Sequence, residues 1–423
     1  MGTRLSNRPR RPDGRDAEHW KPLDWPLTIV GLYVFTFAVV TFRFPVAEIG
    51  IVIALIGLFL QPTSIRIPPL VWIYSSFVLW CFVVSFASQF PEVAHEQVLE
   101  RLKQAIIILV VVNALQTERQ IRAYLIFFLG CFLLYPARGA LVNYVRGYNV
   151  FGRALWNFIY SNPNDLAVLA LLALGPALVV AASKSGRRQI QLGASIGAAL
   201  LVIVILLTQS RGAFLGLISS IGLAAAWSVL KGRSRISIVF AAVVSIGILM
   251  PSSLWDRLGG IGRLTSTETI ATADTEGSAG ERWKIQKVAW KIFSDHPLLG
   301  VGLGAYPYVN GIYSPELGRR DTHNTYLNLA AEVGLPGLLG WIAFFVPVLL
   351  RARRMRLAAR SGEFLMQQVW LERALLGFMV AALFGTYAAL TVPALMLGVL
   401  WCSTDLMSQT VVTVVTKLRA SGR

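Results

Sequence analysis

Long apolar runs recur along the whole chain, near residues 26–42, 46–60, 69–87, 105–115, 123–142, 166–182, 190–208, 213–230, 236–251, 326–350, 374–392 and 394–415. A helix needs about 20 apolar residues to cross the hydrocarbon core of a bilayer, and in lipid every backbone amide must be satisfied within its own element. Runs of this kind predict an all-α, polytopic membrane protein with twelve candidate spans. The fourth run is short and extends backwards through "PEVAHEQVLERLKQ", with Pro91 in the first turn of its helix. No internal repeat is present.

Composition agrees. The 423 residues are 55% hydrophobic and only 14% charged, where a soluble domain carries about a quarter charged residues. The net charge of +17 does not point to nucleic acid, because the basic residues sit in short clusters between apolar runs. Twelve spans put both termini on one side. Arg4 to Lys21, Arg66, Arg119 and Arg122, Lys184 to Arg188, Lys231 to Arg235, Arg351 to Arg360 and Lys417 to Arg423 all fall on that side, which the positive-inside rule makes the cytoplasm. Arg43, Arg101, Lys103, Arg146, Arg153 and Arg211 fall on the opposite side and need another reason. Cys81, Cys131 and Cys402 all lie inside apolar runs, with neither disulfide nor metal-ligand spacing. The domain organisation expected is a basic tail (1–25), spans one to nine (26–251), an outward loop (252–322), spans ten to twelve (323–416) and a second tail (417–423).

The outward loop begins Thr-rich and polar, then becomes "SAGERWKIQKVAWKIFSDHP". Ser278 and Glu281 have the spacing of a capping box, so a helix starts there and stops before Pro297. Ile285, Val288, Ala289, Ile292 and Phe293 share one face, and Lys284, Lys287 and Lys291 another. The pattern predicts a helix lying along the outer membrane–water interface.

Three residues stand out chemically. Arg211, in "TQSRGAF", lies at the turn between spans seven and eight, where Gly212 lets the backbone turn. It can snorkel to lipid headgroups or clamp phosphate oxygens with its planar fork of donors. Arg282 lies in the first turn of the loop helix, where free amides and the helix dipole favour an anion; a surface ion pair is the alternative. His323, in "DTHNTYLNLAAEVGLPGLLGW", stands where loop meets span ten. It is a cap or an interfacial ring, or a base. A helix N-terminus and nearby arginines would lower its pKa, and a neutral imidazole can accept a proton.

Asn324, Asn328 and Glu332 form a polar stripe down span ten. Glu332 lies nine residues beyond His323, roughly 13 Å deeper and half a turn round, so it reads as a structural residue paired within the bundle, with Arg138 as the candidate partner. Gly334, Pro336, Gly337 and Gly340 allow a bend there. "GVGLG" (Gly300 to Gly304) follows no strand and is no dinucleotide loop. "YSNPND" offers Asn162 or Asn164 as caps of span six or as contacts to a sugar or acceptor. "HEQVLE" lacks a second histidine at metal spacing, and no paired carboxylates suggest a metal or a glycosidase couple.

Together, "TQSRGAF", "GERW…HPLLGVGLG" and "THNTYLNLAAEVGLPGLLG" resemble the O-antigen ligase and polymerase superfamily over about half the chain, from span six to span ten. The resemblance implies a bacterial inner-membrane glycosyltransferase of the GT-C class with no cofactor or metal. It would move a glycan from undecaprenyl diphosphate to an acceptor hydroxyl, such as that of lipid A-core, on the periplasmic face. It maps the family's arginines onto Arg211 and Arg282 and its histidine onto His323, with Asn324, Tyr326, Asn162 and Asn164 as further candidate contacts. The layout favours a ligase over an O-antigen or exopolysaccharide polymerase. The "NPND" stretch is similar to exosortase-associated ligases, and the short tail after span twelve argues against the protein-glycosylating subtype. A transporter of lipid-linked glycan is the competing class, but it would need a charged path through the bundle, whereas the unusual charges gather at one outer face.

Overall fold

The computed structural model describes residues 26–42, 46–60, 65–183, 187–230, 278–358 and 363–420. The structure is all-α. Among the described residues its one β feature is an isolated bridge between Val150 and Arg153. Its helices are α1 (Leu27–Thr41), α2 (Ala47–Phe59), α3 (Pro69–Ser85), α4 (Pro91–Ala114), α5 (Glu118–Phe132), α6 (Arg138–Val145), α7 (Pro163–Ala182), α8 (Arg188–Leu207), α9 (Arg211–Leu230), α10 (Ser278–Asp295), α11 (Tyr306–Tyr313), α12 (Thr325–Ala358), α13 (Glu363–Ala381) and α14 (Thr391–Ala420). Five of the continuous helical stretches are long and apolar enough to cross a membrane, and α1, α2, α3 and the first part of α9 are shorter apolar helices.

Local signals explain most boundaries. Pro91 occupies the first turn of α4, as expected. Thr117 and Gln120 close a capping box on α5. That helix continues through a π-helical turn, Leu133–Ala137, into α6. The wide turn accommodates Pro136, whose missing N–H would otherwise break the ladder. The ninth apolar run (236–251), the start of the outward loop, the first tail (1–25) and residues 421–423 lie outside the described residues.

Two spans differ from the apolar pattern in ways that matter. Span eleven runs from Glu363 to Ala381 rather than 374–392, and the apolar residues 382–390 leave the helix. Such backbone is tolerated at membrane depth only when buried in protein that satisfies it. Thr325 does so. Its amide donates to the Ala382 carbonyl at 2.9 Å, and its hydroxyl donates to the Gly385 carbonyl at 2.6 Å and accepts from the Tyr387 amide at 2.9 Å. Span ten is broken at Gly334, whose φ of 67° and ψ of −177° suit glycine almost alone.

The broken turn of α12 frees carbonyls, and the "GVGLG" loop caps them. The Val301 amide donates to Ala331 O at 3.0 Å, Gly302 to Glu332 O at 2.8 Å, and Leu335 N reaches Pro297 O at 2.8 Å. A Cβ on Gly300 would sit 2.4 Å from the Glu332 carbonyl carbon, and one on Gly334 would sit 2.0 Å from Leu298 O. These glycines serve close approach of backbone to backbone. The loop helix α10 also differs from expectation. Its apolar face, Ile285, Ala289 and Ile292, is buried against Val301, Ala305, Tyr306 and Ala331, so protein rather than lipid covers it. Lys284, Lys287 and Lys291 remain on the exposed side.

Candidate active site

The segment 382–387 is where the candidate residues converge. Thr322 and Thr325, both buried, flank the turn that carries His323. Thr325 holds the segment through the three bonds above, and the Thr322 hydroxyl lies 3.3 Å from that of Thr386 and 3.0 Å from Asn328 Oδ1. From the other side comes the start of α9. A Cβ on Gly212 would sit 2.6 Å from Phe384 Cβ and 3.3 Å from Ala381 O. Gly212 is therefore a helical contact point, and the residue that turns the chain before Arg211 is Gln209, with a φ of 51°. His323 adopts the same left-handed conformation, with a φ of 52°. Each costs about 1 kcal/mol or more for a residue with a Cβ, and such strain gathers at functional positions.

His323 is half-buried, and burial lowers its pKa to about 4, with the charges of Arg282 and Arg320 acting in the same direction. The order of causes differs from the sequence expectation, which began with the helix end. Arg320 also pairs with Glu281 at 3.3 Å, on the exposed side of α10. Arg282 acts electrostatically on Tyr387 as well as on His323, so the loop helix, the His323 turn and the 382–387 segment share one electrostatic site. Arg211 is the first residue of α9, next to Gly212.

Sequence reasoning assigned no role to several members of this cluster. Arg153 donates from Nε to Thr208 O at 2.7 Å and from Nη2 to Asn164 Oδ1 at 2.7 Å. It thereby ties the end of α8 to the start of α7, and it acts on Tyr387 with Arg282. Tyr387 is buried and its hydroxyl is pushed up in pKa, by burial and then by Asp165, against the lowering effect of the two arginines. Burial also raises the Asp321 carboxyl, and Asp165 and Asp321 are near enough to repel each other. The one available signal was Arg153 itself, an arginine on the side poor in basic residues. Tyr387 lay hidden in an apolar run.

The remaining sequence candidates divide by what their polar atoms already do. Asn162 caps α7, accepting from the Asn164 amide at 2.9 Å. Asn324 caps α12, accepting from Tyr326 and Leu327 amides, each at 3.1 Å. Tyr326 points into the bundle, where its hydroxyl donates to Met379 O at 2.7 Å and its ring packs against Trp341. Asn164 accepts from Arg153. Glu332 is buried within the fold, but not against Arg138. It accepts from the Tyr306 amide at 3.4 Å and from the Gly304 amide and the Asn328 side chain, and the basic group acting on it is Arg101 of α4. The helix break explains this choice, because it brings the 304–306 backbone onto that turn of α12. Among the described residues, no group of three or more His, Cys, Asp or Glu side chains is placed to hold a metal ion.

A half-buried histidine held neutral, arginines converging beside it and polar backbone docked at a helix break occupy a stretch that a family model also recognises. The model described as O-antigen ligase matches residues 196–342. Residues 196–342 of this chain are therefore similar to the O-antigen ligase family. The matched region runs from within α8 to the middle of α12 and contains Arg211, Arg282, His323 and Glu332. No curated protein sequence matches the chain. α7, Arg153 and the 382–387 segment lie outside the matched residues.

Proposed function

We propose that the protein is an O-antigen ligase-like glycosyltransferase that moves a glycan from undecaprenyl diphosphate to an acceptor hydroxyl, with lipid A-core the first acceptor to test, on the periplasmic face of the bacterial inner membrane. Both termini would then lie in the cytoplasm. The observation that carries this reading is the neutral imidazole of His323 beside Arg282. Neutral imidazole can take the proton of the acceptor O–H. The oxygen then attacks the anomeric carbon, and the bond from that carbon to the diphosphate oxygen breaks. The electron pair leaves with undecaprenyl diphosphate. One displacement inverts the anomeric centre.

Arg211 and Arg282 would bind the diphosphate and offset the charge that grows on it, a contribution that needs donors already in place. Arg153 supports the same wall by holding Asn164 and the end of α8. Purified protein in lipid, given undecaprenyl-diphosphate-linked glycan and lipid A-core, is expected to release undecaprenyl diphosphate and join glycan to core. Lengthened lipid-linked glycan in place of the joined product would make it a polymerase. Donor carried across the bilayer with no bond made would reject both in favour of transport.

A further inference from the structure

A cavity of about 400 Å³ lies at the other end of the bundle, walled by the approach to α3, the end of α4, α12 and α14. Along α12 it is roughly 40 Å from His323 at 1.5 Å per residue, one bilayer away. Its polar wall is Arg66, Arg351 and Asp405, and its apolar wall includes Val112, Leu115 and Leu406. Arg351 donates to Asp405 Oδ1 at 2.8 Å and lies over the Trp401 ring, 4.4 Å from its centre. Arg66 reaches the other oxygen of Asp405 at 3.7 Å. Two guanidinium groups therefore share one carboxylate, which leaves one positive charge in excess.

The fold invests buried polar groups in keeping Arg66 there. Asn113, 2% exposed, accepts from the Arg66 amide at 2.8 Å and donates to the Arg66 carbonyl at 2.9 Å. The side chain itself stays half-exposed at the mouth. A tryptophan, a forked cation and an apolar wall at one bilayer boundary match a ligand with an anionic phosphate and an acyl chain. A free phosphate would use the arginines and waste the apolar wall.

We propose that this cavity binds the phosphate of an anionic phospholipid from the leaflet opposite the His323 site, with Arg66 and Arg351 on the phosphate and Leu115 and Leu406 against the chain. The site is independent of glycan transfer.

Native mass spectrometry of the full-length protein, titrated with phosphatidylglycerol and separately with phosphatidylcholine, tests it. Phosphatidylglycerol is expected to be retained in preference to phosphatidylcholine. Arg66→Gln and Arg351→Gln should each weaken that retention by about tenfold, the scale of one charge-assisted contact. Asp405→Asn should strengthen it, because it removes the competing anion. That opposite sign separates a ligand site from a merely structural ion pair, which all three variants would loosen alike. Equal retention of the two lipids, wild-type binding by both arginine variants, or weakening by Asp405→Asn would overturn the proposal. Displacement of phosphatidylglycerol by inorganic phosphate at similar concentration would assign the cavity to the free anion and overturn the lipid.

Discussion

At the C-terminal end of α12 the arginines meet carboxylates directly. Arg351 bonds Asp405 at 2.8 Å, and Arg356 lies 3.0 Å from Glu372, both of that pair buried. At the His323 end the arginines act on a neutral imidazole, and Arg282 adds to the burial that keeps it neutral. The first end uses charge to join helices at the buried Arg356–Glu372 pair. Breaking such a pair leaves a buried charge uncompensated. The second keeps a positive field beside a proton acceptor, where it can act on negative charge that develops during a reaction. The same residue type, near the two ends of one helix, pairs with a carboxylate at one and lies beside a neutral imidazole at the other.

That contrast predicts different losses. The largest is catalytic: His323→Ala should lower the rate of glycan transfer by roughly 10²–10⁴, the usual worth of a general base, while thermal unfolding of the variant stays near wild type. Glu372→Ala should do the reverse, lowering stability by about 3–5 kcal/mol because the buried Arg356 loses the Glu372 carboxylate, with transfer per folded molecule preserved. Chemical denaturation alongside activity would separate the two. Transfer that survived His323→Ala, or failed in folded Glu372→Ala, would erase the distinction.

Gly334→Ala should affect both properties. The new Cβ meets Leu298 O, and the backbone conformation alone costs about 1–3 kcal/mol. Protease sensitivity near 297–306, measured with activity, would report the loop lifting from α12. The pH dependence follows from His323. Its folded pKa of about 4 lies below the ordinary 6.5, so the folded chain resists a proton that the unfolded chain accepts. Stability from this group is present above pH 6.5 and falls as pH drops from there towards 4. The acid limb of kcat/KM should likewise lie near pH 4, and a limb at 6.5 would mean the ring is solvated and free of Arg282. The smallest expected effect is Asn324→Ala, which removes the cap of α12 and should cost about 1 kcal/mol, read as a lower unfolding midpoint.

Much of the site was legible because it is written in local signals. The capping spacing at Ser278 and Glu281 placed the loop helix, and its start at Ser278 agrees. The glycines after Glu332 announced a bend, and Gly334 makes it. The polar residues around His323 marked the end of a span. Other parts were illegible for a definite reason. The run from Ala374 to Val392 carries no charged residue, and hydropathy does not distinguish a helix in lipid from a loop buried in protein. The break at 382–390 depends on Thr325, more than fifty positions earlier. Gly212 looked like the turn residue beside Arg211, yet Gln209 takes the left-handed conformation and Gly212 lets α9 approach Phe384.

By itself, the sequence determined the class of molecule and the residue types available for chemistry. Apolar runs of spanning length can fold stably in lipid only as helices, and a histidine among arginines at a span end reads as a cap, an interfacial ring or a base. Tertiary structure decided which residues meet. It turned Tyr326 inward, onto the Met379 carbonyl. It gave Glu332 the backbone of 304–306 instead of Arg138, and it brought Arg153 and Tyr387 to the site. Each of those outcomes rests on a hydrogen bond or a close contact between distant segments. Such pairings depend on how helices pack, and no local periodicity encodes them.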